Sequence, residues 1–491
     1  MGTDLIEPRA SYVAGRWVDG DAGLRVENPA DESTVCEVSV TPAAEIRRAV
    51  SEARGAFDRG VWAGAPAAER ARVLHRFVDH LEGLKDAWVA TMVAEAGQPP
   101  MFAEMAQYNA GITYARATIE LFRSLPEEEP NPLPVDDLVR GRVAVSFRRY
   151  EPVGVVTAIT PYNGAVIMGF QKLIPALMAG NSVVLRPSPL TPLASLAFGS
   201  AADAAGLPAG VLSVVVEAGS DGAEALTSDP AVDMVSFTGS TTVGRLILAQ
   251  SAATVKRVAL ELGGKSAQIY LPDALHRVGP GAAQVVAMTA GQACVAATRM
   301  LVPEEHKDQV LETVAATYRA LRVGPPSDPA AMIGPLISAA QRERCERFVT
   351  LAEEGGAKVV QGGGRPAGLD RGYYFEPTVI DLPDNANPAA REEIFGPVIG
   401  VIGYRDVDDA VRIANDSIYG LSSQVYGADT LAATAVARRL RAGAANVNTG
   451  MFSAYAPSGG YKQSGLGRER GIEGIRAFQE VKHLLVGELP K

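Results

Sequence analysis

The stretch VGVVTAITPYNGAVIMGFQKLIPALMAGNSVVLRP, residues 153–187, holds two short β-branched runs, VGVVTAI and SVVLR, on either side of a longer apolar stretch that opens after Pro161. Continuous apolar runs of this length bounded by turn residues are strands buried on both faces, and the segment between them is long enough for a crossover helix. The pattern recurs: LSVVV, MVSFTG and RVALEL follow before residue 261, each separated by a helical stretch that begins after Pro, Gly or Ser. Such alternation predicts parallel βαβ units in an open, doubly wound α/β sheet. It resumes from residue 262 to about 445, which predicts a second α/β domain.

Outward from this centre the chain reads differently. Residues 41–123 carry helical periodicity, with Thr41 and Pro42 suited to the start of the first helix. LPEEEPNPLPVDDLVRG (125–141) holds four prolines and reads as a connector. The tail GIRAFQEVKHLLV (474–486) reads as a helix entry followed by an edge strand. With 491 residues the chain exceeds one comfortable hydrophobic core, so more than one domain is expected. A formal net charge of −10 argues against nucleic acid or an anionic membrane as partner. Cys36, Cys294 and Cys345 form no disulfide framework and suit a reducing compartment, so a cytoplasmic protein is expected. No metal site is expected, since the chain has no Cys-x-x-Cys and His75 and His80 come without an acidic zinc motif.

Several short motifs sit where such sheets do chemistry. GQACVAATR (291–299) places Cys294 among small neighbours, leaving open the approach a nucleophilic thiol needs. ELGGKS (261–266) ends like a phosphate-binding loop, but Ala259 stands where that loop requires glycine. The double glycine instead permits an abrupt turn that leaves Glu261 at the end of a strand. FTGSTTVG (237–244) reads as strand, turn and helix start, where free N–H groups and the Ser240 hydroxyl suit a pyrophosphate. In TPYNGAV (160–166) Asn163 offers an amide N–H to an oxyanion, although an asparagine there alone reads as a turn residue.

Taken in order, TPYNGAV, LRPSPLTP, FTGSTTVG, ELGGKS, GQAC, EEIFGPV and PSGGYKQSGLGRERG resemble the aldehyde dehydrogenase superfamily across nearly the whole chain. The resemblance implies a nucleotide-binding α/β domain over 1–124 and 146–261, a catalytic α/β domain over 262–458, and a small strand-swapping oligomerisation element. That element would take 125–145 and 459–491, and the assembly would be a homodimer or homotetramer. It further implies Cys294 as nucleophile, Asn163 as oxyanion donor, Glu261 as the base that activates water, and Lys172 near the same site. Arg186, Gly219, Gly239, Ser240, Glu393 and Phe395 would bind the cofactor, NAD or NADP.

Two departures from the family pattern carry expectations. The acid that commonly binds the adenosine ribose is replaced in Arg186-Pro187-Ser188-Pro189, and Glu217 stands where the family places glycine, so use of both NAD and NADP is expected. In the substrate tunnel Gly164, Gln171 and Ser458 occupy positions that are often aromatic, with Tyr162, Met168, Phe452 and Tyr455 as remaining lining. A medium or bulky, apolar or aromatic aldehyde, oxidised to its acid through a cysteine thioester, is therefore expected. The alternatives are a semialdehyde dehydrogenase that passes the thioester to coenzyme A, and a catalytically silent binding or structural relative. Retention of Cys294 and Glu261 counts against both.

Overall fold

The computed structural model describes residues 4–7, 9–20, 22–131, 144–450 and 453–487. Within 153–187 the strand Val155–Ile159 is buried at all five positions, a short turn Tyr162–Gly164 follows, and the helix Ala165–Ala179 leads to the strand Ser182–Arg186. Gly180, at φ +100°, ends that helix in a conformation that costs a residue with a Cβ. The two strands pair in parallel, Val155 opposite Ser182 and Ile159 opposite Arg186.

They lie inside an eight-stranded sheet whose five central strands are parallel. From Val155–Ile159 the chain steps outward to Ser182–Arg186 and Leu212–Val214, then returns to the other side of its starting strand with Met234–Thr238 and Arg257–Glu261. The connections therefore diverge between Val155–Ile159 and Met234–Thr238, and a crevice opens beyond their carboxyl ends. A second, seven-stranded sheet takes Lys358–Gln361, Thr378–Asp381, Val398–Tyr404, Arg299–Pro303, Ala267–Tyr270, Ser422–Tyr426 and Ala444–Val447 in that spatial order, all parallel except the first pair. The α/β class with two wound sheets is thus as expected.

Five residues, 262–266, carry the chain from the end of Arg257–Glu261 into Ala267–Tyr270 of the second sheet. A Cβ at Gly264 would stand 2.4 Å from the Cys294 carbonyl oxygen, so the crossing chain passes hard against the cysteine loop. A third sheet pairs Gln479–Gly487 and Glu128–Pro130 on either side of Ala144–Pro152, all antiparallel. The tail first returns to the first sheet, where Gly465–Leu466 pairs with Arg257–Glu261, and then enters the third through the helix Gly471–Arg476. Most of the connector at 125–141 lies outside the described residues.

The early helical region resolves into Ala43–Asp58, Ala67–Gly83, Lys85–Ala96 and a long piece from Pro100 to Ser124 interrupted by a π-helical segment, Ala103–Asn109. Ahead of it, Ser11–Val13 and Arg16–Val18 extend the first sheet, and Gly23–Glu27 pairs with Thr34–Ser39. These N-terminal strands are three to six residues long and lack clean alternation, so the sequence carries no period to find them by. Phe77, Trp88, Phe170 and Phe198 interlock beneath the helices, with ring centroids 5.3 to 6.3 Å apart. Among the described residues no helix is long and apolar enough to cross a membrane.

Candidate active site

The crevice is a cleft of about 660 Å³, and its walls bring together Asn163, Tyr162, Arg186, Gly239, Ser240, Glu261, Cys294, Glu393 and Phe395. Each comes from the end of an element. Glu261 is the last residue of Arg257–Glu261, opposite Thr238 in register. Cys294 lies in the loop between the helix Val278–Ala287 and the strand Arg299–Pro303. Asn163 occupies the turn between Val155–Ile159 and the helix Ala165–Ala179.

Asn163 and the cysteine loop are tied to each other. Asn163 Nδ2 donates to the Gln292 carbonyl at 2.8 Å, and the Tyr162 hydroxyl donates to Gln292 Oε1 at 3.2 Å. Gln292 Nε2 donates in turn to Thr289 at 3.0 Å, and its Oε1 accepts from the Ile337 N–H at 3.0 Å. A strand-end turn of the first sheet is thereby registered against a loop of the second.

Burial dominates the electrostatics. It pushes the Cys294 thiol up to about 12; Glu393 and Glu261 add to the rise, while Arg470 and the cysteine's own backbone N–H oppose it. Burial also pushes Glu261 up to about 8, with Glu469 adding and Lys172, Arg468 and Arg470 opposing. A carboxyl held there shifts between acid and base near neutral pH. Lys172 is fully buried behind the cleft rather than in its wall, where its Nζ meets Glu469 Oε1 at 2.6 Å and Ser236 Oγ at 3.0 Å. It therefore acts on Glu261 through the field of an ion pair.

Across the cleft the helix Thr241–Ser251 points its N-terminus inward, and Ser240 caps it by accepting from the Val243 N–H at 3.3 Å. Glu393 Oε1 accepts from the Gly264 N–H at 2.9 Å, and burial raises its carboxyl to about 6. Phe395 has φ +65°, a strained conformation for a bulky residue, and is held by Gln341 Nε2 donating to its carbonyl at 2.8 Å. Arg344 Nη2 donates to the Glu393 carbonyl at 2.5 Å, and Tyr162 meets the Phe395 ring edge-on at 6.0 Å. Arg186 lines the cleft already engaged: its Nε is 3.1 Å from Glu217 Oε2 and its Nη2 donates to the Gly219 carbonyl at 3.0 Å. Gly219 touches the site through that carbonyl and is not in the wall.

The residues read as substrate lining are dispersed. Tyr162 lines the cleft against Phe395. A Cβ at Gly164 would stand 3.0 Å from Met168 Cγ, so the methionine already covers that position. Gln171 is buried, and its side-chain amide, turned with its oxygen toward Arg470, accepts from Nη2 at 2.8 Å and Nε at 3.0 Å. The Ser458 N–H donates to the Glu469 carbonyl at 2.7 Å. Phe452 lies outside the described residues. The sequence reading missed Gln292, Glu469 and Arg470, although each stood inside a quoted motif. It also missed Gln341 and Arg344, which sit on a highly charged helix that reads as a solvated face.

A sequence model of the aldehyde dehydrogenase family matches residues 17–484. The putative aldehyde dehydrogenase DhaS of Bacillus subtilis is 36% identical over 99% of this chain and 97% of its own length. Geranial dehydrogenase of Castellaniella defragrans is 38% identical over 97% of this chain and 98% of its own. Among solved structures, a mutant of aldehyde dehydrogenase C from Pseudomonas syringae, complexed with NAD+ and octanal, superposes with a TM-score of 0.92 at 36% identity over 98% of each chain. An NAD+ complex of Mycobacterium tuberculosis aldehyde dehydrogenase gives 0.93 at 39% identity, over 98% of this chain and 99% of that one.

Proposed function

Because the chain belongs to the aldehyde dehydrogenase family, we propose that it oxidises a medium or bulky, apolar or aromatic aldehyde to the carboxylic acid, using NAD or NADP. One observation carries this reading: Cys294, Asn163 and Glu261, from three separate elements, line one cleft together with a helix N-terminus. The Cys294 thiol gives its proton to solvent, and the resulting thiolate sulfur attacks the aldehyde carbon. Asn163 Nδ2, whose other hydrogen is held by Gln292, donates to the oxygen that becomes negative, joined by the Cys294 backbone N–H. When bound, the nucleotide supplies a hydride acceptor. Glu261, in its ionised form, takes a proton from the water that cleaves the resulting thioester and releases the acid. Lys172 and Glu469 set the field in which Glu261 gains and loses that proton.

The nucleotide fits the residues present. Ser240 and the N-terminus of Thr241–Ser251 suit the pyrophosphate, with Gly239 at the preceding turn. Glu393 suits a ribose hydroxyl, and Phe395 suits packing beside the nicotinamide. NAD+ is bound by the similar P. syringae and M. tuberculosis enzymes. Arg186 would meet a 2′-phosphate only by sharing itself with Glu217, while a 2′-hydroxyl asks nothing of that pair. Hence dual use, with kcat/KM for the two nucleotides within about a hundredfold, since a charge-assisted contact is worth roughly 1.5–3 kcal/mol and here is partly offset.

Support for the substrate class comes from glycine at 164, covered only by the adaptable Met168, and from the octanal and geranial of the similar enzymes. Glu261 in the cleft counts against transfer to coenzyme A. Homo-oligomerisation is supported by Val481, Leu485 and Val486, exposed on Gln479–Gly487, an edge strand of the third sheet. The three free cysteines suit the cytoplasm. We take 1–124 and 146–261 as the nucleotide-binding part, 262–458 as the catalytic part, and 125–145 with 459–491 as the oligomerisation element and tail. Steady-state kinetics over a panel of aldehydes with NAD, NADP and added coenzyme A tests the proposal. A kcat/KM at least tenfold higher for octanal or benzaldehyde than for acetaldehyde is expected. A profile peaking at acetaldehyde, or turnover only with coenzyme A, would overturn it.

A further inference from the structure

The turn that carries Asn163 is gripped from a side the reaction does not touch. Gln107 is buried on the π-helical segment Ala103–Asn109; its Nε2 donates to the Asn163 carbonyl at 2.7 Å and its Oε1 accepts from the Ile167 N–H at 3.3 Å. Ile167 lies in the first turn of Ala165–Ala179, whose N–H groups have no partner within the helix. One carboxamide thus ties the Asn163 turn to the first turn of the helix that follows it, a task that needs a donor and an acceptor on the same planar group. Gln98 Nε2 reaches the same carbonyl at the longer distance of 3.3 Å. On this π segment Ala103, Gln107 and Tyr108 are buried while Met105 is exposed, and π insertions are frequent beside functional sites.

We propose that Gln107 is a positioning residue for the reaction: it holds the Asn163 turn so that the asparagine amide meets the oxyanion formed at Cys294. The proposal rests on the reading of Asn163 as the oxyanion donor. An oxyanion donor is useful only where charge develops, and misplacement by about 1 Å can cost on the order of a hundredfold. Asn163 is anchored by its side chain to Gln292 and by its backbone to Gln107, so losing Gln107 leaves the carbonyl only the longer contact from Gln98 and loosens the turn without emptying the site.

A double-mutant cycle on the full-length enzyme tests this, using Asn163→Ala, Gln107→Leu and their combination. Octanal oxidation, NAD affinity by fluorescence titration and thermal midpoint are the readouts. Asn163→Ala alone should lower kcat by roughly a hundredfold or more. Gln107→Leu should lower kcat by roughly tenfold to a hundredfold with NAD affinity within twofold of wild type. The double variant should match Asn163→Ala within threefold, because Gln107 has nothing left to position. A merely structural glutamine would instead multiply the two losses, and that result overturns the inference, as does Gln107→Leu with unchanged kcat. If Asn163→Ala stays within tenfold of wild type, the oxyanion reading itself has failed, whatever Gln107 does. Gln107→Met, closer in shape, carries the cycle should Gln107→Leu not fold. Loss of NAD binding in both would mean that Gln107 holds the fold rather than the turn, and the proposal falls.

Discussion

Two side chains in the cleft rest in the wrong protonation state for their proposed work, and burial is the reason for both. The Cys294 thiol, pushed up to about 12, is protonated in the free enzyme at neutral pH. Replacing Cys294 with Ala should cost about three orders of magnitude or more in turnover while NAD affinity by fluorescence stays near wild type. Glu261, raised to about 8, is largely the neutral acid at pH 7 and becomes a competent base as pH rises through 8. Where thioester hydrolysis limits turnover, kcat should therefore climb between pH 6 and 9. Glu261→Gln should remove that limb and leave a rapid burst of reduced nucleotide near one equivalent, followed by a stall. A mutant that keeps wild-type turnover and its pH profile would assign the base elsewhere. At the nucleotide end, Glu217→Gly releases Arg186 and should move the NADP/NAD ratio of kcat/KM toward NADP; an unmoved ratio would place the 2′ position away from that pair.

Helix spacing, not side-chain identity, decides where these residues stand. The helix Ala165–Ala179 begins at the Asn163 turn, carries Gln171 and Lys172, and packs on Leu193–Ala205 through Gly169. A Cβ at Gly169 would stand 2.3 Å from Phe198 Cε2, and Phe198 is wedged against Phe77, Trp88 and Phe170. With no room for the ring to yield, Gly169→Ala should force the helices apart at a cost of about 1–3 kcal/mol, measured by urea unfolding. If the helix shifts, kcat should fall with stability; an unchanged urea midpoint would show that the ring has freedom after all. The helices of this region were legible because apolar residues recur at helical spacing. The π segment was not, because one extra residue in a turn leaves that spacing nearly intact.

At the scale of the molecule, two wound sheets make one cleft because residues 262–266 cross between them in five residues. The double glycine read in ELGGKS lets that crossing lie against the cysteine loop, which brings Glu261 and Cys294 to the same wall. The strand Gln479–Gly487 lies at the edge of the third sheet and exposes Val481 and Leu485. Replacing both with Asp should convert the proposed dimer or tetramer to a smaller species in sedimentation velocity. An unaltered sedimentation coefficient would move the interface to another face.

Taken alone, the sequence determined the α/β class and the two wound sheets, since parallel strands covered on both faces write themselves as continuous apolar runs between helices. It also singled out Cys294 for its small neighbours, Glu261 at a strand end and Asn163 in a turn, each within a recognisable motif. Which partners those side chains meet was decided only by tertiary structure. Gln107 and Asn163 are 56 residues apart, and Lys172 and Glu469 are 297 apart. Arg186, expected to bind the cofactor, is paired with Glu217, and Gln171, expected in the substrate tunnel, meets Arg470. Local periodicity reports which face of an element is buried, but hydrogen bonds and ion pairs between distant segments depend on how the sheets are brought together, and no spacing along the chain records that.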